Sequence, residues 1–477
     1  MKANILSPLM NKWRQLSPVK KASLSLIFAK FFQKGLSMIS GPIFTRIMPQ
    51  SEYGVISTFT SWQSVLYIVA TLNMASGVFN NGMVDFKDDR DGFVGSIMSL
   101  ANICTLTCFV IYLLFKRGID DILGIPPILT YTMIAYFFVT PAYNYWMGRK
   151  RFEYSYVSVT VITIASSILS TMLAIVAVLA VADNSKAIAK VMATEIVSIG
   201  IGIFFTILTL IKARGKNKFR YWKYALTISI PLVPHYLSMY ILSSSDRIMI
   251  SKLINTSATA IYNVASTVAS IMLIFWNAVD ASYAPWIYQK MDEKKYSTIA
   301  SRGNQVLSVF AGMTILSTLF APEIMRILAP PSYYEGIYII PAVAAATFFT
   351  ACSSLYIRVE LFLKKSGTVM LGSCMAALLN IVLNYLCIKR FGYMAAGYTT
   401  MICYLALAVF HGANLKRLNY NVYNNRFVII ISIIVIICVA IVSLLYRFTA
   451  VRYLLILTLI LFAAIKRDTI IGVMRKR

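Results

Sequence analysis

Apolar stretches of roughly 20 residues follow one another through this chain, and nothing else in it limits the folding so severely. Coiled as α-helix, such a stretch crosses the hydrocarbon of a bilayer while satisfying its own backbone hydrogen bonds. We read fourteen spans, at about 22–47, 55–79, 94–115, 126–147, 156–182, 187–211, 225–250, 257–287, 303–328, 337–360, 367–388, 395–414, 427–446 and 449–465. Hydrophobic residues make up 58% of the 477, and charged residues 13%. A soluble protein of this length could not bury so much apolar surface. The reading is an all-α polytopic membrane protein.

Charge supports that reading. The formal net charge is +27, which on a soluble domain would suggest nucleic acid. Here the basic residues sit in short loops between apolar runs, not on one folded face, so nucleic acid is not expected as a partner. With the N-terminus inside, 30 of the 45 Lys and Arg fall on the cytoplasmic side and 11 on the other, leaving Lys30, Lys34, Arg247 and Arg358 within spans. Both termini are therefore expected in the cytoplasm. The first 21 residues are polar and basic. The run behind them is too long for a signal-peptide core and contains Lys30 and Lys34, so it is expected to remain as the first span. Residues 212–224 and the stretch Lys290–Arg302, expected as a polar surface helix, suit either anionic membrane lipid or positive-inside anchoring. The seven cysteines all lie in apolar runs and read as packing residues.

The chain repeats itself weakly. Leu36, Ser37 and Met38 recur as Leu237, Ser238 and Met239, and Arg46, Ile47 and Met48 recur as Arg247, Ile248 and Met249. After an insertion, Tyr53, Val55, Ser57 and Thr58 match Tyr262, Val264, Ser266 and Thr267. Each copy would open one half of a duplicated transporter.

Function should lie in polar residues that lipid rejects. Lys30 and Lys34 share one face of the first span. Lys30 is close enough to the cytoplasm to snorkel, whereas the deeper Lys34 should face water or an anion. Two cations on one face suit a phosphate. Asp246 and Arg247 lie near the outer end of span seven, with Arg46 in the corresponding place of span one; they either form an interhelical ion pair or touch substrate. Trp276, Asn277 and Asp280 lie on an aromatic, polar stretch of span eight that suits sugar stacking, or an interfacial belt. Arg358 and Glu360 read as flanking charges beside Lys364 and Lys365. Glu195, five residues after Lys190, is open to two readings, a buried pair or a protonatable site. Pro141, Pro231, Pro234 and Pro285 mark places where helices break or flex, as they do when lining a cavity.

The runs KGLSMISGPIFTRIMPQSEYGVISTFTSW at 34–62 and SSSDRIMISKLINTSATAIYNVAST at 243–267 resemble those of the bacterial polysaccharide-repeat flippases. These are the O-antigen, capsule and exopolysaccharide translocases of the multidrug/oligosaccharidyl-lipid/polysaccharide exporter superfamily. Arg46, Glu52-Tyr53-Gly54, Asp246-Arg247 and Tyr262 carry the resemblance. It implies two pseudo-symmetric six-helix lobes around a central, cationic lumen, here residues 1–211 and 225–415 joined by 212–224, with two further spans in 416–477. It also implies a substrate, an undecaprenyl-diphosphate-linked oligosaccharide carried from the inner to the outer leaflet of the bacterial cytoplasmic membrane. A polysaccharide polymerase and a chain-length regulator are the protein partners expected with it. Lys30, Lys34, Arg46, Arg247, Trp276 and Asn277 would meet substrate, and Asp246, Asp280 or Glu195 would gate or couple. No GxxxxGK[ST] motif is present, and no metal or organic cofactor is expected, so the drive would be H+, Na+ or consumption of product. An ion-coupled drug or cation exporter of the same superfamily, and a membrane-embedded polymerase or ligase, are the rival readings.

Overall fold

The computed structural model describes residues 18–153, 155–213 and 218–465. The basic N-terminal segment up to residue 17, four residues of the 212–224 connection and the C-terminal tail from 466 lie outside the described residues. Among those described there is no β-strand. Packing divides the chain into two units, Met1–Leu237 and Ser238–Arg477, with the division inside one long helix.

The first unit contains α1 (Pro18–Ile47), α2 (Gln50–Thr71), α3 (Val78–Asp85), α4 (Arg90–Leu114), α5 (Lys116–Leu123), α6 (Pro127–Phe152), α7 (Tyr156–Leu179), α8 (Lys186–Ala213) and the first part of α9 (Phe219–Leu253). The second takes the rest of α9, then α10 (Thr256–Asp292), α11 (Tyr296–Leu319), α12 (Ala321–Leu328), α13 (Ile340–Phe362), α14 (Ser366–Phe391), α15 (Ala395–Arg417), α16 (Asn425–Leu444) and α17 (Thr449–Ile465). Nine helices among the described residues are long and apolar enough to cross a membrane, or eleven if each of two bent pairs is one crossing. The other expected spans coincide with α1 and α2, rich in polar residues, and with α17, whose described apolar part is short.

The differences from expectation have local causes. The second span does not run to residue 79: Leu72 and Asn73 take positive φ values of 51° and 44°, which ends α2 at Thr71 and lets α3 start afresh. The ninth span breaks at Phe320, where Pro322, lacking an N–H, opens α12 at an angle of 67° to α11. A 95° bend likewise separates α5 from α6, so the first unit has a short turned helix before a span and the second has one after a span. Lys290–Arg302 is not a separate surface helix. It is the end of α10 and the start of α11, joined by a turn with Lys294 at φ 55°. There, hydrogen bonds from Lys290 and Lys295 hold the Glu293 carboxyl at about 2. Pro141, Pro231, Pro234 and Pro285 lie inside continuous helices and break none of them.

Aromatic rings fill the first unit, with Phe79 stacked on Tyr145 and Phe93 set edge-on to Tyr221. In the second, α13 runs through the core, and its alanines allow close packing on α15, where Gly397 faces Ala342. The last two helices are pinned to this unit rather than left to lipid. Tyr446 donates to the Thr318 carbonyl at 2.8 Å, and the buried Arg452 reaches the Leu319 carbonyl at 2.7 Å and both oxygens of Glu323. Removing one partner of such a buried pair strands the other. Arg452→Ala is expected to cost about 3 kcal/mol, read as a lower melting temperature of the purified protein. An unchanged melting temperature would show that α17 is held some other way.

Candidate functional site

Five helices of the first unit surround a cavity of about 540 Å³, a size in the range of small-molecule sites. Its wall is unusually rich in hydroxyls for a membrane bundle, with Ser37 and Ser40 from α1, Thr163 and Ser167 from α7, and Thr194 and Ser198 from α8. Several of these donate to carbonyls of their own helices, as Ser167 does to Thr163 at 2.7 Å and Thr194 to Lys190 at 2.9 Å. That satisfies each hydroxyl proton inside the bundle and leaves its oxygen as an acceptor.

Two ionisable groups of α8 line the same space, Lys190 and Glu195. The Glu52 carboxylate accepts from the Ala187 N–H at 2.8 Å in the first turn of α8, where the helix dipole favours a negative charge. Lys186 reaches the Ile47 carbonyl at 2.7 Å. So fixed, α8 sets the Lys190 ammonium over the ring of Phe44 at 3.9 Å and that of Tyr53 at 5.0 Å. No salt bridge to Lys190 exists among the described residues. Glu195 is 7% exposed; its Oε1 accepts from Gln63 Nε2 at 2.9 Å, and its Oε2 has no hydrogen-bond partner. Buried carboxylate oxygens are rarely left bare. The lysine brought to the cavity is thus Lys190, which sequence reasoning noted merely as a neighbour of Glu195; the Glu52-Tyr53 pair, which positions it, was legible.

The expected site residues scatter. Lys30 and Lys34 are exposed on α1, outside the cavity lining, although Gln33 between them belongs to it. Arg46 is exposed and returns to the Pro42 carbonyl at 2.9 Å. Trp276 is 4% exposed, edge-on to Phe310 in the core of the second unit, so its ring is not presented for stacking on a sugar; Asn277 beside it is exposed. Asp280 is bridged to Arg358, so that arginine is an interhelical partner rather than a flanking charge. Glu360, also expected as a flanking charge, is fully buried, accepting from Asn414 and paired with His411 at 2.8 Å.

Asp246 and Arg247 do not pair with each other. Arg247 turns to Asn263 at 2.7 Å and to the Ser243 carbonyl at 3.0 Å. Asp246, 3% exposed, accepts from Tyr262, from Asn384 at 2.6 Å and from Thr400 at 2.8 Å, all neutral donors. Asn380 extends the network, accepting from Ser245 at 2.7 Å and donating to Thr400 at 3.1 Å.

The internal echo is visible as bonds. Arg46 and Arg247 each bond the carbonyl four residues back. Ser57 donates to Tyr53 at 3.0 Å as Ser266 does to Tyr262 at 2.8 Å, and Thr58 to Gly54 as Thr267 to Asn263. The matched tyrosines have diverged in use: Tyr53 lies under a lysine, while Tyr262 donates to an aspartate.

A bundle of apolar helices in two units, with a polar cavity sunk into one of them, defines a multi-pass membrane protein with a transporter fold. Two solved structures share that fold over most of their length. An inward-facing multidrug resistance MATE family transporter of the MOP superfamily matches at a TM-score of 0.60 and 12% identity, covering 82% of this chain and 96% of its own. A MOP superfamily transporter from Pyrococcus furiosus, described as having a binding pocket of reverse polarity, matches at 0.54 and 13%, covering 84% and 95%. Residues 19–291, more than half of the chain, match the family described as "Polysaccharide biosynthesis protein", and the chain belongs to that family. The "probable low-salt glycan biosynthesis flippase Agl15" of Haloferax volcanii is 22% identical over 406 residues, 82% of each chain.

Asp246→Ala would leave the Tyr262, Asn384 and Thr400 donors unpaired in a dry interior, at a cost of about 1–3 kcal/mol. The expected readout is a clear fall in melting temperature. Asp280→Ala, which frees a half-exposed arginine, is expected to cost less; equal losses would remove the special standing of the Asp246 network.

Proposed function

We propose that this protein is a flippase that moves an undecaprenyl-diphosphate-linked oligosaccharide from the inner to the outer leaflet of a bacterial cytoplasmic membrane. The observation that carries the reading is the hydroxyl-lined cavity with its unpaired lysine, within a chain of a polysaccharide biosynthesis family. The Haloferax relative, named as a probable glycan biosynthesis flippase, points the same way. Sugar hydroxyls and a diphosphate cannot cross hydrocarbon unaided, because each unpaired polar group costs several kcal/mol there. A wall of oxygens replaces lost water, while the polyprenyl tail stays in lipid. Binding is spread over many weak contacts, as release requires.

Lys30, Lys34, Arg46 and Arg247 are the cations proposed for the diphosphate, and Asn277 remains a polar contact for sugar. Access would alternate by movement about the 212–224 connection, with both termini in the cytoplasm. Among the three carboxylates proposed for coupling to H+ or Na+, Asp280 is tied to Arg358 and Asp246 to three donors, whereas Glu195 keeps an open oxygen. A polymerase and a chain-length regulator would act on the product. A cation exporter would require an acidic site, and the unpaired lysine disfavours it.

Deletion of the gene is expected to abolish surface polysaccharide and to accumulate lipid-linked repeat units on the cytoplasmic leaflet. Lys34→Glu at native expression is expected to do the same with the protein still in the membrane; normal polysaccharide from that variant would remove Lys34 from the site. Unchanged polysaccharide in the deletion strain, together with new sensitivity to cationic drugs, would favour the exporter.

A further inference from the structure

The Lys190 side chain is directed into the bundle with no carboxylate in ion-pair contact among the described residues. A lysine within a bundle normally pairs with a carboxylate or snorkels to the interface. Here the contacts are two aromatic faces, worth about 0.5–2 kcal/mol, although Glu195 stands on the same helix. Five residues of α-helix separate the two by about 7.5 Å along the axis and about 140° around it. They therefore do not neutralise each other, yet both line one cavity. The 93% burial implied by an exposure of 7%, and the bare Oε2, make Glu195 an acceptor waiting for a donor. An amine, a bare carboxyl oxygen and the Ser and Thr oxygens of the same wall suit a ligand that carries both an anion and hydroxyls, as a sugar ring with an anionic group does.

We infer that this cavity is a reading subsite for one sugar ring bearing an anion, with Lys190 Nζ meeting the anion and Glu195 Oε2 accepting a ring hydroxyl. The inference rests on the flippase reading and narrows its substrate class. The anion is a carboxylate or phosphate, supplied by an acidic sugar or by the diphosphate that links the first sugar to the lipid.

Two synthetic polyprenyl-diphosphate lipids, one carrying glucuronic acid and one glucose, separate these sources when flipped by the full-length protein in proteoliposomes. The wild-type protein is expected to move the glucuronosyl lipid at least about tenfold faster, since a charge-assisted contact is lost with glucose. Lys190→Met is expected to erase that preference while sparing the neutral lipid, and Lys190→Arg to retain it. Equal slowing of both lipids by Lys190→Met would place the diphosphate at Lys190, which keeps the anion site and assigns its source. No effect on either lipid would overturn the inference and leave the flippase reading intact. If neither lipid is flipped by the wild type, the flippase reading fails. Binding of soluble glucuronate against glucose to the reconstituted protein then decides the cavity alone: about tenfold weaker glucuronate binding in Lys190→Met supports it, and equal binding overturns it. Lys190→Met keeps the length and apolar stem of the side chain and removes an amine with no ion-pair partner among the described residues, so its melting temperature should not fall, and loss of preference would not be loss of fold.

Discussion

Hydrocarbon offers no hydrogen bonds, so a polar side chain placed inside a helical bundle must find its partners there or be given water or a ligand. The two units meet this demand in opposite ways. In the second, Asp246 is buried yet receives hydrogen bonds from three different helices, and its Asn and Thr neighbours bond one another in turn. A network so complete holds α9, α10, α14 and α15 together and leaves little for a ligand to add. In the first unit the polar residues surround a space. Several of their hydroxyl protons go to their own helices, while one carboxyl oxygen of Glu195 meets no hydrogen-bond partner and Lys190 no carboxylate among the described residues. Closed polarity builds structure; open polarity is where a hydrophilic passenger has something to gain.

The same duplicated phrase underlies both outcomes. An arginine that bonds the carbonyl four residues back, and a tyrosine followed by Ser and Thr that do likewise, recur in the two units with similar distances. What differs is what faces the tyrosine. Tyr262 donates to Asp246, whose counterpart at the shared offset is Thr45, bonded to its own helix at Pro42. Tyr53 offers its ring face to Lys190. The repeated frame thus sets its tyrosine against an aspartate in one unit and under a lysine in the other.

Much of this was legible in the sequence, for a physical reason. Apolar runs long enough for a bilayer have few alternative folds, so the helices fall where hydropathy puts them. The breaks were less legible, because a positive φ at Leu72 or a helix start at Pro322 depends on two or three residues within an apolar run. Prolines misled in the other direction: Pro141 and Pro285 sit inside helices that run on unbroken. Among the site residues, burial logic singled out Asp246, Asp280 and Glu195 as groups that lipid would not accept, and each has a role inside a bundle. It could not say which were satisfied, since Arg358 lies 78 positions from Asp280 and Asn384 lies 138 from Asp246. Trp276 was misread because an aromatic stripe looks alike whether it faces a sugar or Phe310. Lys190 was noted only for its spacing to Glu195, since the rings it meets, Phe44 and Tyr53, lie far from it in sequence.

The position of Lys190, near the start of α8, is informative in itself. A lysine so near a helix end has a cheap alternative in the interface, and Phe44 and Tyr53 alone would not hold it against that alternative for long. Its placement is over-determined from α2 instead: Glu52 fixes the first turn of α8, Tyr53 supports the ammonium, and Gln63 takes one oxygen of Glu195. Three residues of α2 therefore bear on both Lys190 and Glu195. A rigid frame around two incompletely paired groups is what a transporter needs, since the frame preserves selectivity while the missing partners keep each contact weak enough to release.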